Sequence, residues 1–226
     1  MTLILGLVSQ KGGVGKSTLA RLIAREYANA NWSVKIADLD ISQGTSTDWK
    51  QRREQNQLLP EIAVEPFRTV SQTLKIMPLY DLLVFDSPPH SMASTLEIAQ
   101  ISDLVILPTG LSLDDLRPSI ILAHELTEKH IPLEKIIFAL CRVGDREREI
   151  EDARAYIMRA GYQVLGGSLP EKTGYRRVSD EGKALSEITY PTLKFKAEQI
   201  AQSIVDYVLK LKKENRSDNH TTTAQK

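Results

Sequence analysis

The sequence predicts a doubly wound α/β fold: a mostly parallel sheet with helices on both faces. Three observations carry this. Short, almost wholly apolar runs alternate with longer segments of helical spacing, and strands that are apolar throughout belong to a parallel sheet buried on both sides. Right-handed crossovers between such strands place helices on both faces. The unusual polar residues follow the apolar runs directly, at the strand carboxyl ends where such sheets bind ligands.

The elements follow in order. Leu3–Val8 (LILGLV) is the first strand and leaves into Ser9-Gln10-Lys11-Gly12-Gly13. Leu19, Leu22, Ile23 and Tyr27 then share one helical face. Val34–Ala37 is a strand ending in acids, and Thr45–Gln57 is helical. Ile62–Val64 is a weak strand before a helical pattern over Val70–Met77. Leu82–Phe85 is strong, entered from Tyr80-Asp81 and left at Asp86-Ser87-Pro88-Pro89, with Ser91–Gln100 helical behind it. Leu104–Leu107 ends at Pro108 and precedes helix Asp114–Lys129. Ile136–Leu140 ends at Cys141-Arg142 and precedes helix Glu147–Ala160. Gln163–Leu165 ends at Gly166-Gly167, and Thr192–Lys213 is the last helix. Residues 1–213 read as a single domain and 214–226 as a disordered polar tail.

Composition narrows the function. The chain has 226 residues, 42% hydrophobic and 26% charged, ordinary for one soluble globular domain. A single cysteine, Cys141, leaves no intramolecular disulfide framework and no multi-cysteine metal site within one chain. Lys+Arg and Asp+Glu both number 29, so contact with nucleic acid needs a local basic patch. No apolar run approaches the roughly 18 residues of a membrane span. The N-terminal apolar run is too short for a signal peptide, and the expected location is the cytoplasm.

The informative segment is Lys11-Gly12-Gly13-Val14-Gly15-Lys16-Ser17-Thr18. It leaves a strand and opens a helix, the setting of a phosphate cradle. Glycines let backbone N–H groups approach phosphate oxygens, and the helix adds its positive N-terminal end. Lys16 is placed to reach the β and γ phosphates, and the Ser17 hydroxyl to take a Mg²⁺ position. The first glycine of the general pattern is replaced by Gln10, and Lys11 stands beside Gly12-Gly13 instead.

This loop resembles the deviant Walker A motif of the ParA/MinD family of P-loop ATPases. The resemblance covers roughly residues 2–210 and implies a P-loop ATPase domain that binds ATP and Mg²⁺. It implies that Lys11 reaches across a homodimer to the partner's nucleotide, adding a second cation for the transferring phosphoryl group. Asp38-Leu39-Asp40-Ile41-Ser42-Gln43 stands where the family has Asp-x-Asp-Pro-Gln. By that likeness Asp40 positions the attacking water, while Asp38 reads as a turn or capping carboxylate. The proline is missing and Gln43 comes one residue late. Asp86, ending an apolar strand, resembles the Walker B carboxylate that holds Mg²⁺, and Ser87-Pro88-Pro89 the switch segment after it. His90 reads as a loop-surface residue. Cys141-Arg142 stands where many relatives carry an Asn that meets the base, and Pro170 in the loop over adenine. No Asn-Lys-x-Asp guanine motif occurs.

The resemblance leads to a DNA-partition ATPase with non-specific DNA and a ParB-like centromere-binding protein as partners, associated with the nucleoid. Lys194, Lys196, Lys210, Lys212, Lys213 and Arg216 outnumber Glu198, Asp206 and Glu214, which fits attraction to a phosphate backbone. Arg176 and Arg177 are candidates to join that surface. Leu193, Ala197, Ile200, Ile204, Tyr207, Val208 and Leu211 recur at helical spacing and read as a core-packing stripe. Two alternatives stand beside it: a positioning ATPase for a protein or membrane cargo, and a dethiobiotin-synthetase-like metabolic enzyme.

Overall fold

The structure, a computed structural model, describes residues 2–89 and 91–223, with side chains through Glu214. His90 and residues 224–226 lie outside the described residues. The strands are β1 (Leu3–Leu7), β2 (Val34–Asp38), β3 (Ala63–Pro66), β4 (Leu82–Asp86), β5 (Leu104–Thr109), β6 (Ile136–Val143), β7 (Gln163–Val164) and β8 (Leu169–Pro170). They form one sheet in the order β3-β2-β4-β1-β5-β6-β7, with β8 pairing β6, and every pairing is parallel. This is the predicted doubly wound α/β architecture.

Side chains alternate across a strand, so the apolar runs feed two cores. Leu3, Leu5 and Leu7 join one core with α1 (Lys16–Asn29), α2 (Thr45–Gln55), α7 (Thr173–Asp180) and α8 (Pro191–Thr223). Ile4 and Val8 join the other with α3 (Val70–Leu74), α4 (Met92–Ile101), α5 (Leu113–Glu128) and α6 (Glu147–Arg159). The α8 stripe packs as expected: Ala197, Ile200, Ile204, Val208 and Leu211 are buried, with Leu193 and Tyr207 against them. None of the described helices is long and apolar enough to cross a membrane.

The differences from the sequence reading are local. Helix α3 stops at Leu74, and Pro78 sits in a separate 3₁₀ turn, Met77–Leu79, because its ring excludes an i−4 helical bond. Strand β3 runs from Ala63 instead of Ile62. Strand β8 and helix α7 were not anticipated. Helix α8 continues beyond Lys213 to Thr223, so the segment read as a tail from 214 starts as helical backbone.

The chain crosses from β1 to β2 on one side and later returns to β5 on the other. β1 and β4 therefore flank the point where winding reverses, and their carboxyl ends open the crevice in which such sheets bind ligands.

Candidate functional site

Past β1 the chain turns through residues 8–15 and enters α1 at Lys16. Gly15 caps the helix at φ +108°, a conformation L side chains rarely adopt, and a Cβ there would stand 3.2 Å from Cys141 Cβ. The first turn of α1 thus opens on a cleft of about 420 Å³ with its orphan N–H groups, an anion-binding arrangement.

Most of the residues expected from the sequence meet there. Gly12, Gly13, Gly15, Lys16, Ser17, Thr18, Asp40, Cys141, Arg142 and Pro170 all line the cleft. Lys11 and Val14 do not. They line a second cleft beside the loop, with Asp115, Glu149 and Glu171. Asp86 lies buried at the end of β4.

The charges are arranged from the floor outward. Asp86 Oδ2 accepts a 2.7 Å hydrogen bond from Ser46 Oγ, while the buried Oδ1 has no hydrogen-bond partner among the described residues. Burial pushes the Asp86 carboxyl up to about 6, and the Ser46 and Ser17 hydroxyls and the Arg21 charge pull the other way. Arg21, buried on α1, donates to Ser46 Oγ and the Thr45 carbonyl and lies over the Trp49 ring. Lys16 is buried and donates to the Lys11 carbonyl at 3.0 Å. Burial lowers its pKa, against the opposing pull of Asp86 and Asp40.

The two aspartates after β2 differ in what they hold. Asp38 accepts from the Thr47 N–H and hydroxyl at 3.1 and 3.0 Å, fastening the start of α2, which matches its reading as a capping carboxylate. Asp40 Oδ1 accepts from Ser42 Oγ at 2.7 Å and the Gln43 N–H at 3.2 Å, closing a tight turn. The delayed Gln43 sits in that turn and lines the cleft. On the far wall, Arg142 takes φ +56° at the end of β6. Its guanidinium donates to the Gly13 carbonyl at 3.1 Å and to Glu171 at 2.8 Å. Cys141 is buried beneath the loop, and burial pushes its thiol up to about 12.

Sequence reasoning missed Arg21, Ser46 and Ser179, and it read Arg176 as a candidate for the basic surface, whereas Arg176 lines the cleft with Tyr175 on α7. Arg21 was findable: it lies one turn after Ser17 on the same helix face. Ser46 carries no local mark.

The residues fit a bound triphosphate with its cation. Among the described residues no group of three or more His, Cys, Asp or Glu could hold a metal alone. The Ser17 hydroxyl lines the cleft, and Asp86 at the end of β4 is a buried carboxylate with an unpartnered oxygen. Mg²⁺ suits that set, because it takes one or two protein ligands and completes its shell with water and phosphate oxygens.

Comparison with known proteins agrees with this geometry. The family model of the CobQ/CobB/MinD/ParA nucleotide binding domain matches residues 5–185. No curated protein sequence matches significantly. The fold is similar to the cell division ATPase MinD of Pyrococcus furiosus, at TM-score 0.72 and 16% identity, over 91% of this chain and 99% of that one. It is similar to a putative plasmid partition protein of Borrelia burgdorferi B31 bound to AMPPNP, at TM-score 0.69 and 18% identity, over 91% and 99%. It is also similar to the septum site-determining protein MinD of Pyrococcus horikoshii OT3 complexed with Mg-ADP, at TM-score 0.70 and 17% identity, over 90% and 96%. With the phosphate loop, the buried lysine and the strand-end carboxylate in one crevice, the chain belongs to the CobQ/CobB/MinD/ParA nucleotide-binding family.

Proposed function

We propose that this chain is a DNA-partition ATPase. It closes as a homodimer over Mg²⁺–ATP, binds DNA without reading bases, and hydrolyses ATP slowly until a ParB-like centromere-binding partner accelerates it. The observation that carries the reading is the pair of lysines at the two ends of one loop: Lys16 buried in the nucleotide cleft, Lys11 turned to its outer side.

The loop N–H groups and Lys16 bind the phosphates, and Arg142 and Pro170 frame the base above the packed Cys141. Ser17 and Asp86 would hold Mg²⁺, which would neutralise charge on the phosphoryl groups. Asp40 orients the attacking water. Lys11 meets the phosphates of the opposite subunit, where water is excluded and its charge counts for more. ATP and Mg²⁺ as ligands gain support from the AMPPNP and Mg-ADP held by two of the similar structures.

The DNA-facing part rests on α7 and α8. Arg177 and Lys194 are exposed there, and the apolar stripe of α8 packs into the core. That leaves phosphate attraction in place of an amphipathic membrane anchor. The proposed location is therefore the nucleoid within the cytoplasm.

The test is Asp40→Ala. The variant should bind ATP, form the dimer and stop there, giving a persistent ATP-dependent DNA shift with turnover at least about 100-fold down. Normal turnover removes Asp40 from the reaction. ATP-dependent flotation with anionic vesicles and no DNA shift would replace the partition reading with a positioning ATPase. Consumption of ATP only with a small carboxylate or amine would replace both with a metabolic enzyme.

A further inference from the structure

We propose that Asp115 is a positioning residue for Lys11: its carboxylate holds the ammonium group on its own chain until a second, nucleotide-loaded copy takes it over. The inference rests on the reading of Lys11 as a group that acts across a dimer, and adds the residue that sets when it does so.

Lys11 Nζ donates to Asp115 Oδ1 at 2.8 Å, joining the phosphate loop to the first turn of α5 across 104 residues of sequence. The carboxylate is seated for this. Ser112 Oγ donates to its other oxygen at 2.8 Å. A Cβ at Gly110 would stand 2.4 Å from that same oxygen, so the carboxylate occupies space that only a glycine leaves. Burial pushes the Asp115 carboxyl up, but the hydrogen bonds from Lys11 and Ser112 outweigh it and hold it below the ordinary range. The carboxylate is therefore ionised at neutral pH.

The pair is also weak enough to yield. The Lys11 and Asp115 side chains are 36% and 28% exposed, and water screens such a bridge. A triphosphate presents several negative charges, and in a closed interface water no longer screens them. The outer cleft, about 650 Å³ with Lys11, Asp115 and Arg142 on its walls, leaves room for the lysine to swing. Each closing subunit gives up one bridge. Asp115 should therefore raise the dimerisation threshold by up to about fivefold per subunit, or about 25-fold for the pair.

The experiment compares wild type with Asp115→Asn, which keeps the shape and the Ser112 contact. Dimerisation of the full chain with Mg²⁺ and a non-hydrolysable ATP analogue is followed by analytical ultracentrifugation. The expected result is a dimer between about 2-fold and 25-fold tighter, with fluorescent-nucleotide affinity of the dilute chain unchanged within error. In a Lys11→Ala background, which does not dimerise, the same substitution should not restore a dimer, whereas a change at α5 that favours dimers independently of Lys11 would. In the nucleotide-free chain, an amine reagent with mass-spectrometric readout should modify Lys11 several-fold faster in Asp115→Asn. If Asp115→Asn folds poorly, Ser112→Ala loosens the same seat and should shift the threshold in the same direction by less. An unchanged or weaker dimer overturns the proposal. Lys11-dependent dimerisation with equal thresholds overturns it alone; a wild-type chain that never dimerises overturns it together with the proposed function.

Discussion

Lys11 and Lys16 stand five residues apart in one loop and meet opposite environments. Lys16 is 7% exposed, donates to the loop's own backbone and faces Asp86 and Asp40. Lys11 is more than a third exposed, faces the outer cleft and is held by a carboxylate from α5. The difference separates two kinds of site. The inner end is complete within one chain: helix terminus, buried cation and strand-end carboxylate already converge. The outer end is a charge parked on a screened bridge, and such a charge gains most by moving to a stronger partner.

The largest effect that would test this contrast comes from removing the two lysines in turn. Lys16→Ala should weaken nucleotide binding by on the order of 100-fold, since a buried charge-assisted contact to phosphate is lost. Lys11→Ala should retain measurable nucleotide binding and lose ATP-dependent dimerisation and hydrolysis. Fluorescent-nucleotide titration beside sedimentation reads both. Equal loss of nucleotide binding in the two variants would erase the distinction between the ends of the loop.

A smaller effect sharpens the inner half. Ser46→Ala removes the 2.7 Å hydrogen bond to Asp86 Oδ2 and leaves the Arg21 Nε without its serine acceptor. Orphaning a buried carboxylate costs about 1–3 kcal/mol, so the nucleotide-free variant should melt several degrees below wild type. With Mg²⁺ and nucleotide the deficit should shrink, because Asp86 regains a counter-charge. A deficit of the same size with and without Mg²⁺ would show that Asp86 does not face the bound nucleotide.

What the sequence disclosed and what it hid follow from the range of the interactions. The apolar runs of β1, β2, β4, β5 and β6 were visible because burial on both faces needs no partner to be recognised. The phosphate loop was visible because glycines, lysine and serine act within eight residues. Strand β8 was not: Leu169–Pro170 is a strand only through pairing with Cys141 and Val143. Helix α7 buries only Tyr175 and Val178, too short a stripe to announce itself. The contacts that tune the site lie further apart still. Ser46 reaches Asp86 across 40 residues and Lys11 reaches Asp115 across 104, and no local pattern in a single sequence encodes such pairs.

The smallest effect separates the two ends in one labelling experiment. Cys141 is buried under Gly15, and its thiol is pushed up to about 12 from 9.0. The folded chain therefore keeps its proton where the unfolded chain loses it, and this thiol's contribution to stability falls as pH rises from about 9 to 12. At pH 8 the native thiol is neutral and should react with a thiol reagent only when the loop opens. Nucleotide alone, at protein concentrations too low for dimers, should slow that reaction several-fold by closing the inner cleft over Gly15. The Lys11 amine, labelled in the same tube, should be protected only at concentrations where dimers form. The two probes lie within one loop and its floor, so any difference in what protects them reports the division of labour directly. If one nucleotide concentration protects both equally, independent of protein concentration, the loop works as a single unit and Lys11 serves its own chain.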